Sequence, residues 1–151
     1  MSHISLEYDD LTAPGDAWTT LPGDALGAVW TGPWLRVAAQ TYRDRPSFVR
    51  LVLVGELDMA GSAALEAGTR ALVALPRSPG APLGEAHLDL EGLRFIDSTG
   101  LSRLLAARDS LAAAGWRVSF VHPAGQVERL LRMAARLGWM GRPTSTASTA
   151  A

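Results

Sequence analysis

The chain has 151 residues, of which 48% are hydrophobic and 19% charged, and its 14 basic and 15 acidic side chains give a net charge of −1. This length supports one domain with a core of ordinary size, and the near-neutral charge gives no electrostatic reason to bind nucleic acid or an anionic membrane. The absence of cysteine excludes disulfides, thiolate metal sites and cysteine nucleophiles. No signal-like segment or apolar run of roughly 18 residues occurs, so we expect a cytoplasmic protein.

Both ends of the chain differ from its middle. Residues 9–33 contain three prolines and four glycines among scattered apolar side chains. We therefore interpret residues 1–33 as an irregular N-terminal extension that packs on the surface of a domain spanning residues 34–140. Residues 141–151 are small and polar, cannot bury enough apolar area to offset their ordering entropy, and are predicted to form a flexible tail.

The domain is predicted to begin with a β-hairpin. Apolar residues alternate from Leu35 to Ala39, and a turn signal follows at Asp44–Ser47. The next segment, Phe48–Val54, is mostly apolar and β-branched, as in a strand that is covered on both faces.

Helices and strands then alternate. The apolar period predicts helices over 60–75, from Ser98 to Gly115 and from Pro123 to Gly138, with strands at His87–Leu90 and Arg117–Val121 between them. A turn is expected at Glu91–Gly92. This alternation predicts an α/β fold in which an antiparallel hairpin forms one edge of a largely parallel sheet.

Two segments combine carboxylates with glycine at predicted strand ends, where α/β proteins collect their functional groups. Gly55-Glu56-Leu57-Asp58 follows the most apolar strand, and Phe95-Ile96-Asp97-Ser98-Thr99-Gly100-Leu101 joins a strand to a helix. Asp97, Ser98 and Thr99 are all suitable helix caps, and capping alone would account for them. A phosphate on Ser98 would instead face unpaired backbone N–H groups and the positive end of the helix dipole.

These two segments together, about 40 residues apart in this order of elements, resemble the STAS domain of bacterial anti-sigma factor antagonists. The resemblance covers roughly residues 34–140 and implies a STAS-like mixed sheet with an N-terminal β-hairpin edge. It implies a non-enzymatic protein, without cofactor or metal, that binds an anti-sigma factor carrying a histidine-kinase-like ATPase (serine kinase) domain. Phosphorylation by that kinase ends the binding, and a serine phosphatase restores it.

The resemblance also implies roles for particular residues. Ser98 is the phosphorylation site, and the expected partner-binding residues are Asp58, Asp97, Ser98, Thr99, Gly100 and Leu101. Gly100 would let the partner's backbone approach closely. The chain departs from its expected relatives by a longer N-terminal segment and by its low-complexity sequence after Met140.

Alternative functions remain open at the level of sequence. The main alternative is a STAS-type scaffold or sensory module that binds other proteins or a small ligand without a phosphoswitch. A serine hydrolase would need a base near Ser98, for which His122 is the candidate, but no Gly-x-Ser-x-Gly elbow is present. A receiver-like phospho-aspartate domain is disfavoured because the chain has no lysine.

Histidines, tryptophans and arginines offer weaker signals. His3, His87 and His122 do not have the spacing of a metal site, and the Arg129, Arg132 and Arg136 series predicts a solvated stripe on one helix. The tryptophans are interpreted as packing residues; they are Trp18, Trp30, Trp34, Trp116 and Trp139.

Overall fold

The computed structural model describes residues 19–21, 25–75, 80 and 83–139. Within these residues the elements follow in the order β1 (Thr19–Leu21), β2 (Ala25–Gly32), β3 (Leu35–Tyr42), β4 (Arg45–Leu57), α1 (Ser62–Val73), β5 (Gly84–Ile96), α2 (Ser98–Ala113), β6 (Trp116–Val121) and α3 (Gly125–Arg136). The predictions for residues 1–18, 22–24 and 140–151 lie outside the described part of the chain.

The strands form one mixed sheet in the order β1-β2-β3-β4-β5-β6. Neighbours from β1 to β4 are antiparallel, whereas β5 is parallel to both β4 and β6. The predicted α/β class, the β3–β4 hairpin and the alternation of helices and strands are confirmed. The antiparallel edge is larger than expected, because β1 and β2 precede the hairpin.

The stretch from Ala25 to Gly32 is a strand, so the prediction that it belongs to an irregular extension is wrong. It pairs along its whole length with β3, which satisfies the backbone hydrogen-bonding groups on that side of the strand. The consecutive residues Ala28, Val29 and Trp30 are all buried. A strand covered on both faces has no alternating pattern, which is why the sequence did not indicate one.

The third predicted strand is much longer than His87–Leu90, and the turn expected at Glu91–Gly92 is absent. β5 continues to Ile96 by means of two bulges. Between Val52 and Val54 of β4 the facing residues of β5 run from Asp89 to Gly92, which inserts one extra residue into β5. The Glu91 N–H, freed from the ladder there, donates to the Asp89 carboxylate at 3.0 Å.

The core lies largely between the sheet and its helices. α1 packs against β2, β3 and β4, α2 packs against β5 and β6, and the two helices contact each other. Their bounds agree with the predicted periods within a few residues. The largest fully buried apolar side chains are Leu35, Leu51, Leu53, Leu57, Leu65, Leu72, Leu88, Leu90, Ile96, Leu104 and Leu111.

Candidate functional site: the carboxyl edge of the sheet

Three turns meet at the edge of the sheet where β4 and β5 end. They are the β2–β3 turn at Pro33–Trp34, the β4–α1 turn at Asp58–Gly61 and the β5–α2 junction at Asp97–Ser98; we call them together the carboxyl edge. The Glu56 N–H donates to the Trp34 carbonyl at 2.7 Å, and the Asp97 N–H approaches the Leu57 carbonyl at 3.4 Å. The two sequence segments, which were predicted to follow strand ends, therefore lie side by side.

Asp97 starts α2. Its backbone is extended, and its Oδ1 accepts the Gly100 N–H at 2.7 Å, which satisfies one of the free donors of the first turn. The cap is therefore made by Asp97, and Ser98 is the first residue of the helix with an exposed side chain. Thr99 is half-buried beside it. Asp97 orders the turn, and the Ser98 hydroxyl is accessible at the positive end of the helix dipole.

Asp58 orders the neighbouring turn. Its Oδ1 accepts the Gly61 N–H at 3.0 Å. The hydroxyl of the next residue, Ser62, donates to the Met59 carbonyl at 2.8 Å. Each carboxylate of the edge thus uses one oxygen to fix a local backbone hydrogen bond. Met59 itself is 68% exposed.

Gly100 and Leu101 do not lie on the surface. A Cβ added at Gly100 would stand 2.1 Å from the Leu57 carbonyl oxygen, so the close approach that glycine permits here is made by β4 of the same chain. Leu101 is 3% exposed and belongs to the core. The structure does not support direct partner contact by these two residues. They pack beneath the surface of the carboxyl edge and support its turns.

A glutamine on α3 supports the Ser98 junction, and sequence analysis did not identify it. β6 pairs with β5 only as far as Asp89, so no strand in the described part of the chain pairs with the last residues of β5 on that side. The Gln126 amide takes the place of a strand there, because its Oε1 accepts the Ile96 N–H at 3.0 Å and its Nε2 donates to the Ile96 carbonyl at 2.7 Å. Ile96 immediately precedes Asp97, so α3 fixes the backbone that leads to Ser98.

Replacing Gln126 with leucine should remove both of these hydrogen bonds and expose the Ile96 amide. We expect the free energy of unfolding to fall by about 1–2 kcal/mol, with faster hydrogen exchange at the Ile96 amide. Arg129→Leu, on an exposed position of the same helix, is the matched control and should leave that amide protected. Exchange at Ile96 that is equal in both variants would contradict the bridging role.

A buried ion pair lies further back on the same strands. Arg50 donates to Oδ2 of Asp89, whose side chain is 2% exposed. Burial works to raise the pKa of Asp89, but hydrogen bonds from Arg50 and the Glu91 N–H, with the charge of Arg50, lower it below its usual range. His122 joins the group from the end of β6, with Nδ1 3.4 Å from Asp89 Oδ1.

These groups also bring possible metal ligands together. Ligand atoms of Asp89, Glu91 and His122 lie within 4.8 Å of one another, although the spacing of the histidines in the sequence did not predict a metal site. Arg50 already supplies a positive charge to Asp89 at this position. The ion pair and the bulge account for this arrangement. His122, the candidate base for Ser98 in a serine hydrolase, contacts Asp89 instead.

The tryptophans divide into two groups. Trp30 and Trp116 are 7% and 3% exposed and pack in the core as predicted. The same interpretation is wrong for Trp34 and Trp139, which are 74% and 55% exposed. Trp18 lies outside the described residues. The exposed arginine stripe on α3 is confirmed.

The sequence model of the family described as "Mlab, STAS domain" matches residues 41–138, well over half of the chain. The chain belongs to the STAS family. The match spans the turns at Asp58–Gly61 and Asp97–Ser98 and all three helices, and it begins after the β2–β3 turn. Among the described residues of this STAS domain, no helix combines the length and apolar content needed to cross a membrane. A comparison with curated proteins finds no match.

Solved structures similar to this STAS domain are distant. The anti-sigma factor antagonist SpoIIAA in its unphosphorylated form is 23% identical with a TM-score of 0.43, over 58% of this chain and 74% of its own. An anti-sigma factor antagonist from Mycobacterium paratuberculosis is 22% identical with a TM-score of 0.49, over 87% and 97%. A STAS domain of an antisigma-factor antagonist from Rhodobacter sphaeroides is 16% identical with a TM-score of 0.43, over 62% and 95%. The family assignment rests on the sequence match.

Proposed function

We propose that this STAS domain is an anti-sigma factor antagonist whose binding is switched at Ser98. Unphosphorylated, it binds an anti-sigma factor with a histidine-kinase-like ATPase domain in the cytoplasm and so releases a sigma factor for transcription. That kinase phosphorylates Ser98 and is then released, and a serine phosphatase restores the first state. The domain itself catalyses no reaction and contacts neither nucleic acid nor membrane.

The observation that carries this proposal is the exposed Ser98 at the first position of α2, next to a cap that Asp97 makes alone. A phosphate on Ser98 adds roughly −1.5 to −2 charges at a helix N-terminus, where free N–H groups and the helix dipole tolerate them. The fold therefore survives the modification. A partner that covers the carboxyl edge meets new negative charge beside Asp58 and Asp97, and binding is lost.

The test compares purified baits of wild type, Ser98→Ala and Ser98→Asp in pull-downs from the native host, read by mass spectrometry. We expect the wild type and Ser98→Ala to recover an ATPase of the histidine-kinase-like class and Ser98→Asp to lose it. The kinase should label the wild type at Ser98 and leave Ser98→Ala unlabelled. Ser110→Asp, which places the same charge on an exposed position of α2 about 18 Å further along the helix, should bind like the wild type.

Two outcomes would contradict the proposal. Labelling of a residue other than Ser98 by the recovered kinase would remove the switch from this site. Equal recovery of the same partners by wild type and Ser98→Asp would favour the scaffold or sensory alternative, in which the residues at the start of α2 act only as a helix terminus.

A further inference from the structure

We infer that Trp34, at the tip of the β2–β3 hairpin, is an anchor through which this domain binds its anti-sigma factor; the inference rests on the proposed function. Trp34 is 74% exposed and Met59 is 68% exposed, the two highest values among the large apolar side chains that the structure describes. Both lie in turns of the carboxyl edge. Exposed tryptophan at the centre of a surface is the residue type that most often dominates the free energy of protein association.

The backbone at Trp34 is unfavourable for a large residue. Trp34 has φ +64° and follows Pro33 in a two-residue turn. Proline fixes its own φ near −65°, so the pair has the dihedral signs of a type II turn, whose second central position favours glycine or asparagine. Fold stability alone would select glycine here. A bulky, exposed aromatic residue at this position indicates selection for contact with a partner.

The hairpin tip is held firmly against the rest of the carboxyl edge. The Trp34 carbonyl accepts the Glu56 N–H at 2.7 Å, and Gly55 gives the tip the room to do so. Because its backbone is fixed, little backbone conformational entropy is lost when the indole enters a partner's pocket. Trp34 is therefore presented at a constant position relative to Asp58, two residues beyond Glu56.

The spacing of the strands places Trp34 within reach of a partner that covers Ser98. β3 and β5 flank β4, and neighbouring strands are about 4.8 Å apart, so the two turns are separated by about 10 Å across the sheet. A standard interface covers about 800 Å² of each partner, which corresponds to a patch about 28 Å wide. An anti-sigma factor seated over Ser98 thus covers the hairpin tip, and we assign it an apolar pocket for the indole.

The decisive variant is Trp34→Gly, because it should lower the affinity for the partner without lowering the stability of the fold. Removal of the strained side chain should leave the urea midpoint of unfolding unchanged or raised. The affinity for the anti-sigma kinase recovered with the wild-type bait should fall at least tenfold, measured by calorimetry. Trp34→Asn, which also tolerates a positive φ, should behave alike. Trp139→Gly, the same substitution at an exposed tryptophan away from the edge, should bind like the wild type.

The outcomes separate this inference from the proposed function. If the wild type binds the kinase, Ser98→Asp abolishes binding and Trp34→Gly binds normally, only the role of Trp34 is overturned. A wild type that binds no such kinase overturns both. Loss of a homodimer in sedimentation velocity on substitution of Trp34, with the kinase affinity unchanged, would assign the indole to contacts between copies and would also overturn the inference.

Discussion

Replacement of Gly55 by alanine is expected to lower the free energy of unfolding by at least about 3 kcal/mol. Gly55 has φ +116°, and a Cβ there would stand 2.0 Å from the Trp34 carbonyl oxygen. The variant must both strain its backbone and push the hairpin tip away from β4. The hydrogen bond from Glu56 to Trp34 is lost with that movement, so the carboxyl edge loosens together with the fold. Urea unfolding followed by far-UV circular dichroism measures the change.

Two other glycines separate these effects. Gly115 has φ +97°, and no atom of the described residues lies within 4 Å of an added Cβ. Gly100 lies in α2, and a Cβ there would stand 2.1 Å from the Leu57 carbonyl oxygen. Gly115→Ala therefore reports backbone strain alone, for which we expect about 1 kcal/mol. Gly100→Ala reports the clash alone. A Gly55→Ala variant no less stable than Gly115→Ala would show that the approach of the hairpin tip is not needed for the fold.

Replacement of Arg50 by methionine is the second change with a large expected effect. It leaves the Asp89 carboxylate buried without its cation, and breaking a buried pair in this way costs about 3 kcal/mol or more. Arg103→Met is the matched control, since it removes an exposed ion pair with Glu66, in which both side chains are 49% exposed. Such pairs contribute less than about 1 kcal/mol, so the two variants should differ clearly in urea unfolding.

The pH dependence identifies the cause of this loss. In the wild type the pKa of Asp89 is lowered, so its contribution is complete above the unfolded pKa of about 4 and is lost as the pH falls through the folded pKa. In Arg50→Met, Asp89 keeps the Glu91 N–H and the nearby His122 but loses the adjacent cation. Burial then raises the pKa of Asp89 relative to the wild type, and protonation relieves the penalty as the pH falls. The stability difference should therefore narrow from pH 7 towards pH 4. A constant difference would attribute the loss to packing of the arginine stem.

Much of the fold follows from local sequence signals. The apolar periods of α1, α2 and α3 and the apolar run of β4 are strong, and α1 and α2 have the length that a crossover requires. Because parallel strands end at one edge, the meeting of Asp58 with Asp97 could also be predicted. These features depend on residues close in sequence, where periodicity and capping are informative.

The remainder depends on contacts between distant segments. β2 is recognisable only through its pairing with β3, because both of its faces are covered. The Gln126 amide bonds to Ile96, 30 residues away in the sequence, and no local sequence pattern predicts that contact. Gln40 is fully buried, although both polar atoms of its amide lack a hydrogen-bond partner among the residues that the structure describes. Nothing in its neighbours predicted this, since an unsatisfied buried amide opposes stability. Trp34 was wrongly interpreted as a packing residue, because tryptophan is a residue type that is usually buried and its local sequence gave no sign of exposure.

The Gln126 bridge also bears on the specificity of the proposed partner recognition among related domains. A strand end with free N–H and C=O groups can pair with many extended peptides, because backbone hydrogen bonds depend little on the side chains of the peptide. Gln126 occupies both groups of Ile96 at the one strand end that leads directly to Ser98. Recognition at this edge is then left to side chains on short turns. Exchange of a few turn residues would then change which partner such a domain binds, while the sheet stays the same.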